Sequence, residues 1–131
     1  MKFWIREKHK IPKSKLKKFY LSLLPRIRRI AKQCGYAIGV HGSCTRDLDL
    51  IAAPWTKKAL QPMTLAVRLE KSFSKYTKGS RGFTAEGFGN KPHGRKCFVI
   101  YLGCHGADSR NAAAIYIDLS VISTCKEEFP K

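Results

Sequence analysis

The run 113-AAIYIDLSVI-122 constrains the fold of this chain more than any other segment. Ile115, Ile117, Leu119 and Val121 alternate with Tyr116, Asp118 and Ser120. A period of two belongs to a β-strand with one face buried, so residues 113–122 are expected to form one. Asp118 falls in the middle of this apolar run, where a lone ionised carboxylate is costly. A charge kept there calls for a partner.

A second concentration of carboxylate lies upstream, in 36-YAIGVHGSCTRDLDLIAAPW-55. The chain has only 9 Asp and Glu against 26 Lys and Arg, yet Asp47 and Asp49 stand two apart in its most apolar segment. On a strand they project from one face, while Leu48 and Leu50 go to the core side. Two adjacent ionised carboxylates repel, and each raises the other's pKa. A divalent cation reverses that penalty. Magnesium takes carboxylate oxygens and keeps positions open for water and phosphate. For the Asp47–Asp49 pair alone, two solvated carboxylates at a strand end remain the alternative. If strand 113–122 lies beside strand 47–53, Asp118 joins them and the metal reading gains.

The rest of the pattern sets the fold class. Ile11, Leu16, Phe19, Tyr20, Leu23, Leu24, Ile27 and Ile30 recur at helical spacing from Pro12 to Gly35, and Pro25 is expected to kink or split that helix. Strands follow at 36–40 and 47–53. Pro62 suits the first turn of a second helix, with Leu65, Leu69, Phe73 and Tyr76 on its apolar face. The glycine-rich basic segment 77–95 lacks periodicity and reads as a long loop. Two strands close the chain, at 96–102 and 113–122. The expectation is one α+β (α/β-like) domain over residues 1–131, a small mixed sheet with helices packed on it. A basic helical segment, residues 1–34, precedes a core at 36–122.

Charge narrows the partners. The net charge is +17, and residues 1–32 carry twelve Lys and Arg against Glu7 alone. That excess implies a polyanion. The expected nucleic-acid contacts are Lys8, Lys10, Lys13, Lys15, Lys17 and Lys18, followed by Arg26, Arg28, Arg29 and Lys32. No run approaches the length of a membrane span, so a cytoplasmic protein without membrane contact is expected. Five cysteines with no C-x-x-C pair argue for free thiols rather than disulfides or a zinc site.

The order of Gly42-Ser43, Asp47-Leu48-Asp49 and a later strand bearing Asp118 resembles the nucleotidyltransferase superfamily of beta-type polymerases and minimal nucleotidyltransferases, over residues 36–122. The HGSxxRDLDLIAxPW stretch is also similar to small phage and bacterial proteins. The superfamily resemblance implies a nucleotidyltransferase-like fold that binds Mg²⁺ or Mn²⁺. Gly42 and Ser43 would then hold the terminal phosphates of a nucleoside triphosphate. Asp47 and Asp49 would bind the metals, with Asp118 as the third metal-binding and catalytic carboxylate. The family places a short helix between Gly-Ser and the first Asp; here only Cys44, Thr45 and Arg46 intervene. Arg46 can grip phosphate in compensation, or form a salt bridge to Asp47 or Asp49.

Other segments offer less. Gly82 and Gly87 open a P-loop spacing, but Phe88 and Gly89 stand where Lys and Ser/Thr are required. His93 and Arg95, in 91-KPHGRK-96, are candidate nucleotide contacts or parts of a solvated turn. His41 is a candidate general acid or base, or a structural histidine at a strand end. Phe83 and Phe88 are candidates for base stacking, whereas Trp4 and Trp55 read as packing residues. The function expected is metal-dependent transfer of a nucleoside monophosphate from a triphosphate to a hydroxyl of RNA, protein or a small molecule. The alternative is a catalytically degenerate module that binds nucleotide or nucleic acid.

Overall fold

Leu16, Tyr20, Leu23, Leu24, Ile27 and Ala31 repeat every three to four residues, and all are buried along one side of a single helix. In the computed structural model, which describes residues 11–73, 89–91, 95–105 and 113–122, a 3₁₀ turn at Lys13–Lys15 leads into this helix, α1 (Leu16–Gln33). Then come β1 (Tyr36–His41), β2 (Leu48–Pro54), α2 (Pro62–Ser72), β3 (Gly89–Lys91), β4 (Arg95–His105) and β5 (Ala113–Ile122). The fold is α+β, as expected.

Pro25 neither splits α1 nor ends it. The residue is exposed, so the carbonyl its ring leaves without an N–H lies where water can serve it, and burial of the flanking Leu23, Leu24 and Ile27 outweighs the lost bond. The helix stops at Gly35, which takes φ +92°. A Cβ there would sit 2.7 Å from the Ala59 Cα, so glycine both ends the helix and admits the 55–60 loop against it. That loop is tied down by Trp55 N–H to the Gly35 carbonyl (3.0 Å), Leu60 N–H to the Cys34 carbonyl (2.9 Å) and the Tyr36 hydroxyl to the Leu60 carbonyl (2.6 Å). Burial pushes the Tyr36 hydroxyl up to about 12, so it remains a neutral donor. Trp55 itself is 60% exposed. The expectation that it packs in the core is corrected: the backbone of this residue is anchored and its ring is outside.

The sheet order is β1-β2-β5-β4-β3. The β2–β5 pairing is parallel, and the others are antiparallel. Four long strands make the body of the sheet, with β3 as a short edge. That strand falls inside the segment read as a loop; three residues without apolar alternation carry no strand signal, and only pairing with β4 makes them one. Gly103–His105, assigned to a connection by sequence, likewise extends β4 against β5.

One face of the sheet is the core. Leu48, Leu50 and Ala52 of β2, Ile115, Ile117, Leu119 and Val121 of β5, and Phe98, Ile100 and Leu102 of β4 are buried with α1 and with Leu65, Ala66 and Leu69 of α2. The intervening residues therefore project from the opposite face. The two helices are joined at their flanks by Arg26, whose Nη1 donates to the Ser72 carbonyl at 3.0 Å and whose guanidinium lies 5.3 Å from the Phe73 ring centroid. Arg26 is thus a packing residue, while Arg28, Arg29 and Lys32 are exposed. Cys34, Cys44 and Cys97 are free and buried, as the spacing argued. Among the described residues, no helix is long and apolar enough to cross a membrane.

Candidate metal centre

Parity along the strands sends Asp49 and Asp118 to the face away from the helices, and the register of β2 and β5 sets them directly opposite each other. Neighbouring strands run about 4.8 Å apart, so the two carboxylates are forced close by the backbone itself. His41, at the end of β1, is the partner of Asp49 on its other side, and Val99 of β4 is the partner of Asp118. A row His41–Asp49–Asp118–Val99 thus crosses four strands. Asp47, in the turn just before β2, completes the acidic group. One carboxylate oxygen from each of Asp47, Asp49 and Asp118 lies within 4.8 Å of the others, and all three side chains are half-buried.

The electrostatics follow from that crowding. Burial raises the Asp49 pKa, and the charges of Asp47 and Asp118 raise it further; His41 acts in the opposite sense. Tyr116, two residues before Asp118 on the same face, has its pKa raised by burial and by the nearby charge of Asp47. Three hard oxygen donors with mutual repulsion, open on one side, fit a divalent cation of the Mg²⁺ or Mn²⁺ type.

The turn between β1 and β2 is shaped around these acids. Gly42 has φ +82°, and a Cβ on it would approach the Asp49 Oδ2 to 2.9 Å; any side chain would push on the carboxylate. Cys44 adopts φ +62° and is buried. Ser43 and Thr45 are exposed with their hydroxyls 2.7 Å apart. Arg46 is exposed at the site, close enough for its charge to favour ionisation of Tyr116. The turn contains no helix, consistent with its three-residue length.

Beneath the turn, Tyr20 of α1 is fully buried. Its hydroxyl donates to the Arg46 carbonyl at 2.8 Å and accepts from the Tyr116 N–H at 3.2 Å. Burial raises its pKa far beyond the ordinary tyrosine value, which keeps it neutral.

The structure therefore brings together Asp47, Asp49, Asp118, Gly42, Ser43 and Arg46, with His41 beside them. Arg95 is not part of this group at the backbone level: it opens β4 opposite Ile122, four residues from Val99, or about 13 Å along the strand. His93, Phe83, Phe88, Trp4, Lys8 and Lys10 lie outside the described residues. Tyr20 and Tyr116 were missed by sequence reasoning. The position of Tyr116, two before Asp118, was a usable signal; Tyr20 was indistinguishable from its apolar neighbours on α1. No protein-family model matches the chain, and no curated protein matches its sequence.

Proposed function

We propose that this protein is a divalent-metal-dependent nucleotidyltransferase, moving a nucleoside monophosphate from a nucleoside triphosphate to a hydroxyl acceptor on RNA, protein or a small molecule. The observation that carries this reading is the convergence of Asp49 and Asp118 from two parallel-paired strands remote in sequence, joined by Asp47 from the turn before β2. Crowding makes the joint ionisation of these carboxylates costly, and a divalent cation held by oxygen ligands relieves that cost.

Bound Mg²⁺ or Mn²⁺ would neutralise phosphate charge and polarise the phosphoryl group for in-line displacement. The chain's own residues do the rest. Asp47, Asp49 and Asp118 hold the cation, and Asp118 accepts the proton of the acceptor hydroxyl as its oxygen bonds to the α-phosphorus. The bond from that phosphorus to the bridging oxygen breaks, and pyrophosphate leaves. Gly42 leaves space beside Asp49, Ser43 donates its hydroxyl to phosphate, and Arg46 offers a guanidinium suited to the same oxyanions. The exposed Lys13, Lys15, Lys17 and Lys18, with Arg28, Arg29 and Lys32, are the basic surface for a nucleic-acid partner, in a cytoplasmic setting.

One observation favours a second reading. The β1–β2 turn lacks a helix whose N-terminus would receive a triphosphate, which suits a module that holds nucleotide or nucleic acid without turnover. Incorporation of label from each of four α-labelled nucleoside triphosphates, with Mg²⁺ or Mn²⁺, into RNA, protein and small-molecule acceptors separates the two. Transfer that disappears in the Asp47→Ala/Asp49→Ala protein supports the enzyme. Silence in a protein that still binds nucleotide or nucleic acid replaces it with the binding module.

A further inference from the structure

The parallel ladder between β2 and β5 runs from the Leu48–Ile117 pair to the Ala52–Val121 pair. Continued one step toward the site, the same register would set Asp47 opposite Tyr116. In a parallel pair an N–H bonds to the carbonyl of the residue before its partner, so the next rung would join the Tyr116 N–H to the Arg46 carbonyl. Those two groups are joined, but through a third atom: the Tyr20 hydroxyl accepts from Tyr116 N–H at 3.2 Å and donates to the Arg46 carbonyl at 2.8 Å. A side chain from the helical layer has been inserted into the ladder at the end where Asp47 sits.

We propose that Tyr20 is a positioning residue for the metal centre, its hydroxyl acting as a wedge that holds β2 and β5 apart at this rung and so sets the gap between Asp47 and Asp118. The inference rests on the metal-site reading of the three carboxylates and deepens it. The physical argument is one of spacing. Farther along the ladder, direct pairing fixes Asp49 and Asp118 at strand separation. An intervening oxygen widens the next rung by about its own diameter and moves Asp47 outward with the Arg46 carbonyl. Tyr116, whose backbone N–H is held by the wedge and which the continued register sets opposite Asp47, ties the same adjustment to a ligand. Full burial of Tyr20 between α1 and the sheet makes the wedge rigid. Removing only the oxygen leaves either a direct rung, which draws Asp47 inward, or two unsatisfied backbone groups.

Tyr20→Phe tests this in the full chain. Mn²⁺ binding is read by electron paramagnetic resonance and Ca²⁺ binding by calorimetry, with Asp49→Asn as the site control and circular dichroism reporting the fold. The expected result is a folded Tyr20→Phe protein that binds Mn²⁺ about tenfold or more weakly, the range typical for residues supporting ligands from behind. Its Mn²⁺ to Ca²⁺ affinity ratio should also change, which general loosening would not produce in a protein of unchanged fold. Unaltered Mn²⁺ affinity and an unaltered ratio in folded Tyr20→Phe overturn the wedge. Wild-type protein that binds no cation overturns the metal site, and the role of Tyr20 with it. Should the variant not fold, the wild-type protein decides: with ¹⁵N-tyrosine labelling, Mg²⁺ must shift the Tyr116 amide resonance, assigned by its loss in Tyr116→Phe. A Tyr116 amide indifferent to saturating Mg²⁺ refutes the proposal.

Discussion

Asp118 stands directly opposite Asp49 in the parallel register of β2 and β5. No rotamer choice separates two carboxylates so placed by as much as a shift of register would, and the register is locked by the buried Leu48, Leu50, Ile117 and Leu119 on the other face. The core therefore enforces the repulsion at the site. Slipping one strand by one residue would relieve the acids only by exposing that strand's own apolar pair, Leu48 and Leu50 or Ile117 and Leu119.

The first consequence is a dependence of stability on pH. Asp49 has its folded-state pKa raised, first by burial and then by Asp47 and Asp118. Its contribution to stability is therefore fully present below the unfolded value, about 3.9, and is lost as pH rises through the folded value. In EDTA, Asp49→Asn is expected to be more stable than wild type at neutral pH, with the difference vanishing toward pH 3. Paired urea titrations across that range check it. A gain that grows on acidification contradicts the sign.

Divalent cations should reverse this order. Wild type is expected to gain stability with Mg²⁺ or Mn²⁺, by about 2.7 kcal/mol at a hundredfold excess over Kd. Asp49→Asn should gain much less. Thermal melts with and without cation measure both, and equal shifts in the two proteins would remove Asp49 from the site.

Gly42→Ala probes the turn. Its φ of +82° disfavours any L side chain, at about 1–2 kcal/mol, and the added methyl meets the Asp49 Oδ2. Both lower stability and weaker Mn²⁺ binding are expected, read by denaturant titration and paramagnetic resonance. A loss of stability with unchanged metal affinity would show that the turn does not position Asp49.

The exposed lysines of the first helical turns make a prediction about salt. Replacing Lys13, Lys15, Lys17 and Lys18 by Ala should reduce the slope of log K against log salt for nucleic-acid binding. The reduction is about 0.7 per lost contact for single strands and about 0.9 for duplex. Filter binding at graded salt measures it, and an unchanged slope dismisses this surface.

Arg26 should behave differently despite lying in the same basic stretch. Its guanidinium is engaged with Ser72 and Phe73, so Arg26→Ala is expected to cost about 1–2 kcal/mol in stability. The salt slope should stay unchanged. A stable variant with a shallower slope would make Arg26 a phosphate contact instead.

Much of this was legible in one dimension, and the reasons are local. Side-chain direction along a strand depends only on parity, so the placement of Leu48 and Leu50 in the core and of Asp49 and Asp118 on the other face could be read from alternation. The amphipathic repeat of α1 and the Pro62 start of α2 are equally short-range signals. Trp55 was misread because hydrophobicity does not say which side of an anchored loop its ring will take. Pro25 does not split α1, because its effect depends on whether water reaches the freed carbonyl.

By itself, then, the sequence determined the strand and helix periods, the faces of the acidic side chains, the basic surface and the turn at Gly42-Ser43. Only the tertiary structure decided that β5 lies parallel beside β2, that Asp118 falls opposite Asp49, and that the hydroxyl of Tyr20 enters the ladder between them. These are choices of partner and register between segments far apart in the chain. They are settled by packing one continuous apolar layer of α1, α2 and three strands, a collective condition that no local pattern encodes.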